Sequence, residues 1–331
     1  MPSERARVTA HAELLRQGQL VVFPTETVYG MGASAWQPAA VRSVFETKGR
    51  PADNPLIVHI SSVSMVSAFA RQVPPRARTL MQKFWPGPLT IILKKKPEVL
   101  DIVTAGMDTV ALRMPDHALA LALIAEAGPL VAPSANKSGR PSPTRPQHVA
   151  ADFGRALPVI DGGDCDLGLE STVIDMTVHP PCILRPGYIT PERIEEVCGF
   201  RPRMASSGKS GAGDEVPRSP GMKYSHYAPR AAVGWLPPLP ADRQSYTADE
   251  LPAQSLVLMH YARAHRKQNV KQIHFQGDYA RMARELYDWF RKADIDGFAR
   301  VAIEPFPAAE AAQTNALFQA LNNRISKAIG E

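Results

Sequence analysis

The chain is poor in cysteine, in aromatic residues and in long apolar runs. Its 331 residues hold three cysteines, Cys165, Cys182 and Cys198. Their spacing matches neither a zinc cluster nor a dithiol redox motif. An odd number of thiols and no secretory leader point to a reducing, cytoplasmic setting. No apolar run is long enough to span a bilayer, so no membrane role is expected. Familiar catalytic signatures are absent too. A GxxxxGK[ST] phosphate loop is missing, which excludes a P-loop enzyme, and so is the GxSxG elbow. No cluster of His, Cys, Asp and Glu suggests a protein-held metal. Aromatic residues make up 7% and do not cluster in the basic loops. That argues against a base-stacking RNA module without catalysis.

What is present is ordinary globular material with a basic bias. Hydrophobic residues are 44% and charged residues 21%, and 38 Lys and Arg against 32 Asp and Glu leave +6. Such a balance favours anionic partners, nucleotides or RNA, without choosing between them. The 31 prolines predict many rigid loops.

Apolar runs bounded by turn residues predict strands at 20–23, 56–60, 89–93, 109–114, 130–132, 159–161, 172–176 and 183–185. Helical patterns lie between most of them, at 12–17, 38–47, 65–70, 75–84, 117–127 and 147–153, with PTETVYGMGA read as a loop. A further helix runs from Pro191 to about Cys198, capped by Thr190. This alternation predicts an α/β domain over 1–200, its sheet mixed because some strand-to-strand steps are short. Residues 201–230 are rich in Gly, Ser and Pro and read as a linker whose second half, SPGMKYSHYAP, is a lid over the site. Strands at 233–236, 255–259, 273–275 and 301–303 alternate with helices at 279–293 and 308–329. They predict a smaller α/β domain over 231–331 with a parallel sheet.

The chemistry-bearing residues lie in loops and at strand ends. In KGRPADNPLIVH, Lys48 and Arg50 flank Gly49 ahead of a strand, a pattern suited to phosphates or to a plain solvated turn. His59 continues that strand and reads first as a satisfied core histidine, with its closeness to the Lys48 loop keeping it a site candidate. Arg113 stands in the otherwise apolar strand TVALRM, so it needs an anion: an internal carboxylate or a substrate's. APSANKSGRPS offers Ser134, Asn136, Ser138 and Ser142 as donors, or as turn residues. Ser171 opens the strand of ESTVID, and Arg185 ends that of ILRPG. Gly30, Gly32 and Ala35 with Asp53 imitate a dinucleotide fingerprint, but PTETVY separates them from the preceding strand.

Seven blocks together, FPTETVYGMGA, KGRPADNPLIVHI, WPGPLTIIL, TVALRMPDH, APSANKSGRPSPT, ESTVIDM and ILRPG, resemble the YrdC-like family in order and type. SPGMKYSHYAP and the C-terminal segment resemble its longer, two-domain form, the threonylcarbamoyl-AMP synthases. The resemblance implies a twisted mixed sheet, a linker and a smaller Rossmann-like α/β domain. It implies a nucleotidyltransferase that makes threonylcarbamoyl-AMP and pyrophosphate from L-threonine, bicarbonate and ATP, with magnesium accompanying ATP. The product would serve tRNA modification, with tRNA or downstream modification proteins as partners. By resemblance Lys48, Arg50, Asn54, Thr109, Ser134, Asn136, Ser142, Arg185 and Tyr227 would bind ATP. Thr27, His59, Arg113, Ala132 and Ser171 would line the threonine site, and Lys48, Arg50 and Arg113 would act in catalysis. Met31 departs from the leucine the family often has, a volume-conserving change. Another carbamoyl transferase on this fold would carry acylphosphatase-like and zinc-binding segments, which this chain lacks.

Overall fold

A computed structural model describes residues 3–205, 226–240, 242–306 and 316–330. By contact the chain divides into two units: Met1–Ser138 with Pro143–Tyr224, and Gly139–Ser142 with Ser225–Glu331.

The strands of the first unit are β1 (Val21–Phe23), β2 (Gly30–Ser34), β3 (Ile57–His59), β4 (Leu89–Lys94), β5 (Thr109–Arg113), β6 (Leu130–Val131), β7 (Thr172–Asp175), β8 (Cys182–Arg185) and β9 (Arg203–Met204). They form one mixed sheet in the order β1-β2-β6-β3-β5-β4-β7-β8-β9. β3 runs parallel to β5 and β4 to β7, while β4 and β5 are antiparallel. Around them lie α1 (Glu4–Arg16), α2 (Pro38–Lys48), α3 (Val66–Phe69), α4 (Pro75–Phe84), α5 (Asp101–Thr104), α6 (Ala118–Ala127), α7 (Pro146–Phe153) and α8 (Pro191–Cys198). The ends follow local chemistry. The Ser3 hydroxyl caps α1, the Thr190 hydroxyl accepts from the Arg193 amide at 3.1 Å to cap α8, and Gly49 closes α2 with φ +62°.

Side chains alternate across a sheet, and here the two faces differ sharply. Val58, Leu112, Ile91, Ile174 and Ile183 point into the main core with α2 and α4 residues such as Val44, Phe45 and Leu80. On the opposite face Ile57, Ile92, Ala111 and Val173 form a small apolar group with Leu184 packed on it, while Val21, Phe23, Leu130 and Ala132 pack against α1 and α6 residues such as Leu15 and Leu119.

Two expectations need correction here. PTETVYGMGA is not wholly a loop, because Gly30–Ser34 is a buried strand. Its glycines serve close packing: a Cβ on Gly32 would lie 2.9 Å from the Phe23 ring and 3.1 Å from the Val21 carbonyl. Residues 159–161 do not form a full strand. They make one bridge, Val22 to Val159, with the Ile160 amide donating to the Val22 carbonyl at 2.8 Å.

The strands of the second unit are β10 (Ala232–Trp235), β11 (Ser245–Tyr246), β12 (Ser255–Met259), β13 (Arg263–Ala264), β14 (Val270–His274) and β15 (Arg300–Ile303). Four of them form a wholly parallel sheet, β10-β15-β12-β14. α9 (Tyr279–Ile295) buries Met282, Leu286, Tyr287 and Phe290, a 3.6-residue stripe. α10 (Ala316–Ile329) ends the described chain, so the expected start of that helix at 308 falls outside the described residues. Residues 219–225 of the expected lid do as well.

Candidate active site

Strand register gathers polar residues in rows on the thinly covered face. His59 pairs with Arg113, Arg113 with Thr90, Thr90 with Val173, and Val173 with Arg185. Two residues back along the strands, Ile57, Ala111 and Ile92 pair in turn. One row is thus polar and cationic, and the next is an apolar floor. Thr109, at the start of β5, lies about 13 Å from Arg113 by strand rise.

At the start of β3 and β5 sits the phosphate-type cluster. Lys48 is the last residue of α2 and is buried. Its ammonium donates to the Ser134 and Asn136 carbonyls, the latter at 2.5 Å, while its own carbonyl accepts from the Ser138 amide at 2.9 Å. Burial, followed by the charge of Arg50, pushes the Lys48 amine well below the usual lysine range, with Asp152 acting weakly the other way. Both carbonyls oppose that shift by holding the protonated form. Lys48 is therefore a buried brace between two loops rather than a cation on an open lip. Arg50 is half-buried and donates to the Asn54 and Pro55 carbonyls at 3.2 and 2.9 Å, which shapes its own loop. Asn54 is buried, and its side-chain oxygen has no hydrogen-bond partner among the described residues. The Met31 amide donates to Pro133 and the Ala135 amide to Tyr29, both at 2.8 Å, which fixes the Ser134 segment against β2.

At the far end of the same strands lie the residues assigned to threonine by resemblance. Thr27 is fully buried, and its hydroxyl meets that of Thr25 at 2.8 Å. His59 is buried, with Nδ1 3.3 Å from the Ile57 carbonyl and its ring edge-on to Phe23. Burial first, and the Arg113 charge second, push the imidazole down to about 3, so it is neutral at physiological pH. Ser171 shares a 2.8 Å hydrogen bond with Thr90. The Ala132 amide donates to the Ile57 carbonyl at 3.1 Å, which places it between the two clusters.

Arg185 groups with the Arg113 row. It donates from Nε to the Ser171 carbonyl at 3.0 Å and from Nη2 to the Ser171 hydroxyl at 3.1 Å. Tyr227 lies in the second unit, buried, with φ +72°, stacked on Tyr287 at 5.4 Å and under the Arg324 guanidinium. Ser142 also groups with the second unit and is fully buried.

One important group carried no role in the sequence reading. Glu26, inside PTET, is 5% exposed and sits 2.8 Å from Arg113 Nη2. That is ion-pair range, yet among the described residues neither Glu26 oxygen and neither Nε nor Nη2 of Arg113 makes an aligned hydrogen bond. The internal carboxylate foreseen as a partner for Arg113 exists, paired at close range without an aligned hydrogen bond among the described residues. Its signal in the sequence was an acid flanked by two threonines between an apolar strand and a glycine-rich segment.

This mixed sheet, with basic and hydroxyl groups gathered on one face over β3, β5, β4, β7 and β8, defines an α/β protein of the YrdC-like class. Residues 13–187 match a family described as "Telomere recombination", and residues 189–330 match "Threonylcarbamoyl-AMP synthase, C-terminal domain". A Bacillus subtilis protein named threonylcarbamoyl-AMP synthase is 44% identical, covering 98% of this chain and 93% of its own length. One of the same name from Pyrococcus abyssi is 42% identical, covering 99% and 95%. The crystal structure of P. abyssi Sua5 complexed with L-threonine superposes with a TM-score of 0.85 at 37% identity, covering 100% of this chain and 96% of that one. The chain belongs to the threonylcarbamoyl-AMP synthase family, and it is an enzyme.

Proposed function

We infer that the chain is an L-threonylcarbamoyladenylate synthase, a nucleotidyltransferase that joins L-threonine, bicarbonate and ATP into threonylcarbamoyl-AMP and releases pyrophosphate. The observation that carries this reading is the likeness, over both domains, to relatives named for that product. The neighbour complexed with L-threonine supports the amino-acid substrate.

The threonine amine and bicarbonate first form a carbamate. A carbamate oxygen then attacks the α-phosphorus of ATP, and pyrophosphate leaves. No protein nucleophile is required, so positioning and charge stabilisation supply the rate. Arg113 clamps the amino-acid carboxylate. Its Nε and Nη2, one edge of the guanidinium, have no aligned hydrogen bond among the described residues, Nη2 lying beside Glu26, and this edge suits a carboxylate. Neutral His59 and the hydroxyls of Thr27 and Ser171 surround the rest of the amino acid. Lys48 and Arg50 stabilise phosphate charge, with Asn54, Thr109, Ser134, Asn136, Ser142, Arg185 and Tyr227 as further nucleotide contacts. Magnesium enters with ATP as part of that substrate. A cluster built from cations and amides suits phosphates that carry their own metal. The product supplies a threonylcarbamoyl group for tRNA adenosine, which sets the work in the cytosol beside tRNA-modification partners. The free state of Cys165, Cys182 and Cys198 accords with that reducing setting.

Pyrophosphate release from ATP tests the reading in one assay. It should require both threonine and bicarbonate. Release that ignores either, or RNA binding without turnover, refutes it.

A further inference from the structure

A fully buried carboxylate is costly unless it is paired and hydrogen-bonded. Glu26 satisfies only half of that condition. It lies within 2.8 Å of Arg113, but both of its oxygens lack an aligned donor. On Arg113, Nε and Nη2 lack an aligned hydrogen bond among the described residues, and Nε also lies outside the ion pair with Glu26, so this edge can receive a substrate carboxylate beside that pair. The two side chains thus present a negative and a positive centre side by side, each with unfilled hydrogen-bonding capacity. A free α-amino acid has the complementary pair, an ammonium and a carboxylate on one carbon.

We propose that Glu26 binds the α-ammonium of the amino-acid substrate while Arg113 binds its carboxylate, and that Glu26 takes the proton that must leave before carbamate forms. This rests on the reading of the site as a threonine site. The first step breaks one N–H bond of the ammonium and forms an O–H bond on Glu26. The freed amine attacks the bicarbonate carbon, a C–N bond forms, and a C–O bond breaks. The departing hydroxyl leaves as water with a second proton from the nitrogen. Glu26 returns its proton to solvent once product has gone. A low-dielectric site favours this transfer, because it converts a buried ion pair into two neutral groups.

The alternative is that Glu26 is only a counter-ion for Arg113. An optimised structural pair would show aligned hydrogen bonds, and this one does not. Other titratable groups near Glu26 do not supply the function. His117 is pushed down by burial, although the Glu26 charge pulls it up, and its Nδ1 is itself without a partner among the described residues. Cys165 is held protonated by burial, with Glu26 adding to the effect.

The test compares L-threonine with its 2-hydroxy analogue, 2,3-dihydroxybutanoate, which keeps the carboxylate and methyl-carbinol but has no amine. Calorimetry should show the unaltered protein preferring threonine by at least about tenfold, the value of one charge-assisted hydrogen bond. Glu26→Gln should erase that preference while still binding the analogue. Its kcat/KM for threonine should rise steeply toward alkaline pH, where solvent deprotonates the amine. A Glu26→Gln enzyme that keeps both the preference and the original pH profile overturns the proposal. If that variant does not fold, the unaltered protein decides, because equal binding of the two compounds leaves the ammonium without a charged partner. Failure to bind threonine at all would instead refute the assigned substrate.

Discussion

Arg113 and Glu26 depend on each other in stability and divide the amino acid between them in function. Each is buried, at 4% and 5% exposure, and each is the other's nearest compensating charge. Removing one leaves the other unpaired inside the protein, which costs about 3–5 kcal/mol. Arg113→Ala should therefore lower the urea midpoint substantially, besides losing threonine binding. The double variant Arg113→Met with Glu26→Gln should recover most of the stability and none of the binding. Full recovery of binding would remove Arg113 from the site. His59 makes a different prediction. Its imidazole has a folded value near 3 against an ordinary 6.5. Between those values the unfolded chain takes up a proton that the native site refuses, so stability falls as pH drops through that window and is fully present above it. One such group contributes a slope of up to ~1.4 kcal/mol per pH unit. His117 acts in the same direction. Denaturation curves at pH 4, 5, 6 and 7 should show a shallower pH slope for His59→Gln than for the unaltered protein, and an equal slope would contradict the cause assigned here.

At the scale of elements, the site depends on close approaches between segments far apart in sequence. After β8 the chain passes Gly187, where a Cβ would lie 2.5 Å from the Thr172 amide and 2.8 Å from the Ser171 carbonyl carbon. These are backbone atoms at the start of β7, so they cannot swing aside as a flexible side chain would. Gly187→Ala should displace Ser171, weaken its contacts with Thr90 and Arg185, and cost about 1–3 kcal/mol through overpacking. A thermal shift together with threonine titration checks this, and a wild-type melting temperature would show that the loop yields. The start of α8, by contrast, was readable from the chain alone. Thr190 with Pro191 is a local signal whose geometry neighbouring residues satisfy, whereas Gly49 stood between two cations in the sequence and only the structure shows it closing α2. β2 was misread for a physical reason: glycine punctuates loops, but it also lets a strand press against an aromatic ring.

At the scale of the whole molecule, the segment Gly139–Ser142 groups with the second unit although it lies among the blocks of the first. Asp294, near the end of α9, is the hub of that grouping. It accepts from the Arg230 and Ala231 amides at 2.7 and 3.0 Å and pairs with Arg140 at 3.0 Å. Arg291 donates to the Pro141 carbonyl at 2.5 Å, and the Ala228 amide donates to the Gly139 carbonyl at 2.9 Å. Asp294→Ala should raise hydrogen exchange at the amides of Gly139, Arg140 and Ser142, because hydrogen bonds to charged groups are worth about 1.5–3 kcal/mol. Unchanged exchange would place the hold on this segment elsewhere.

The amino-acid order determined what depends on neighbours within a few residues. The stripe of α9, the cap of α8, the apolar strands and the parallel character of the second sheet all follow from short-range periodicity and turn chemistry. The family resemblance was equally local, a series of blocks each a few residues long. Tertiary structure alone decided which blocks meet. His59, Thr90, Arg113 and Arg185 come together because strand register carries them into one row, and Ser171, just before β7, joins them through hydrogen bonds to Thr90 and Arg185. Register is a non-local property, and a slip of one residue would turn every one of those side chains to the opposite face. The same holds for Lys48 and Glu26. Burial of a lysine at a helix end, or of an acid between two threonines, has no local signature. Each results from a loop distant in sequence closing over a charge that the chain, read in order, leaves looking exposed.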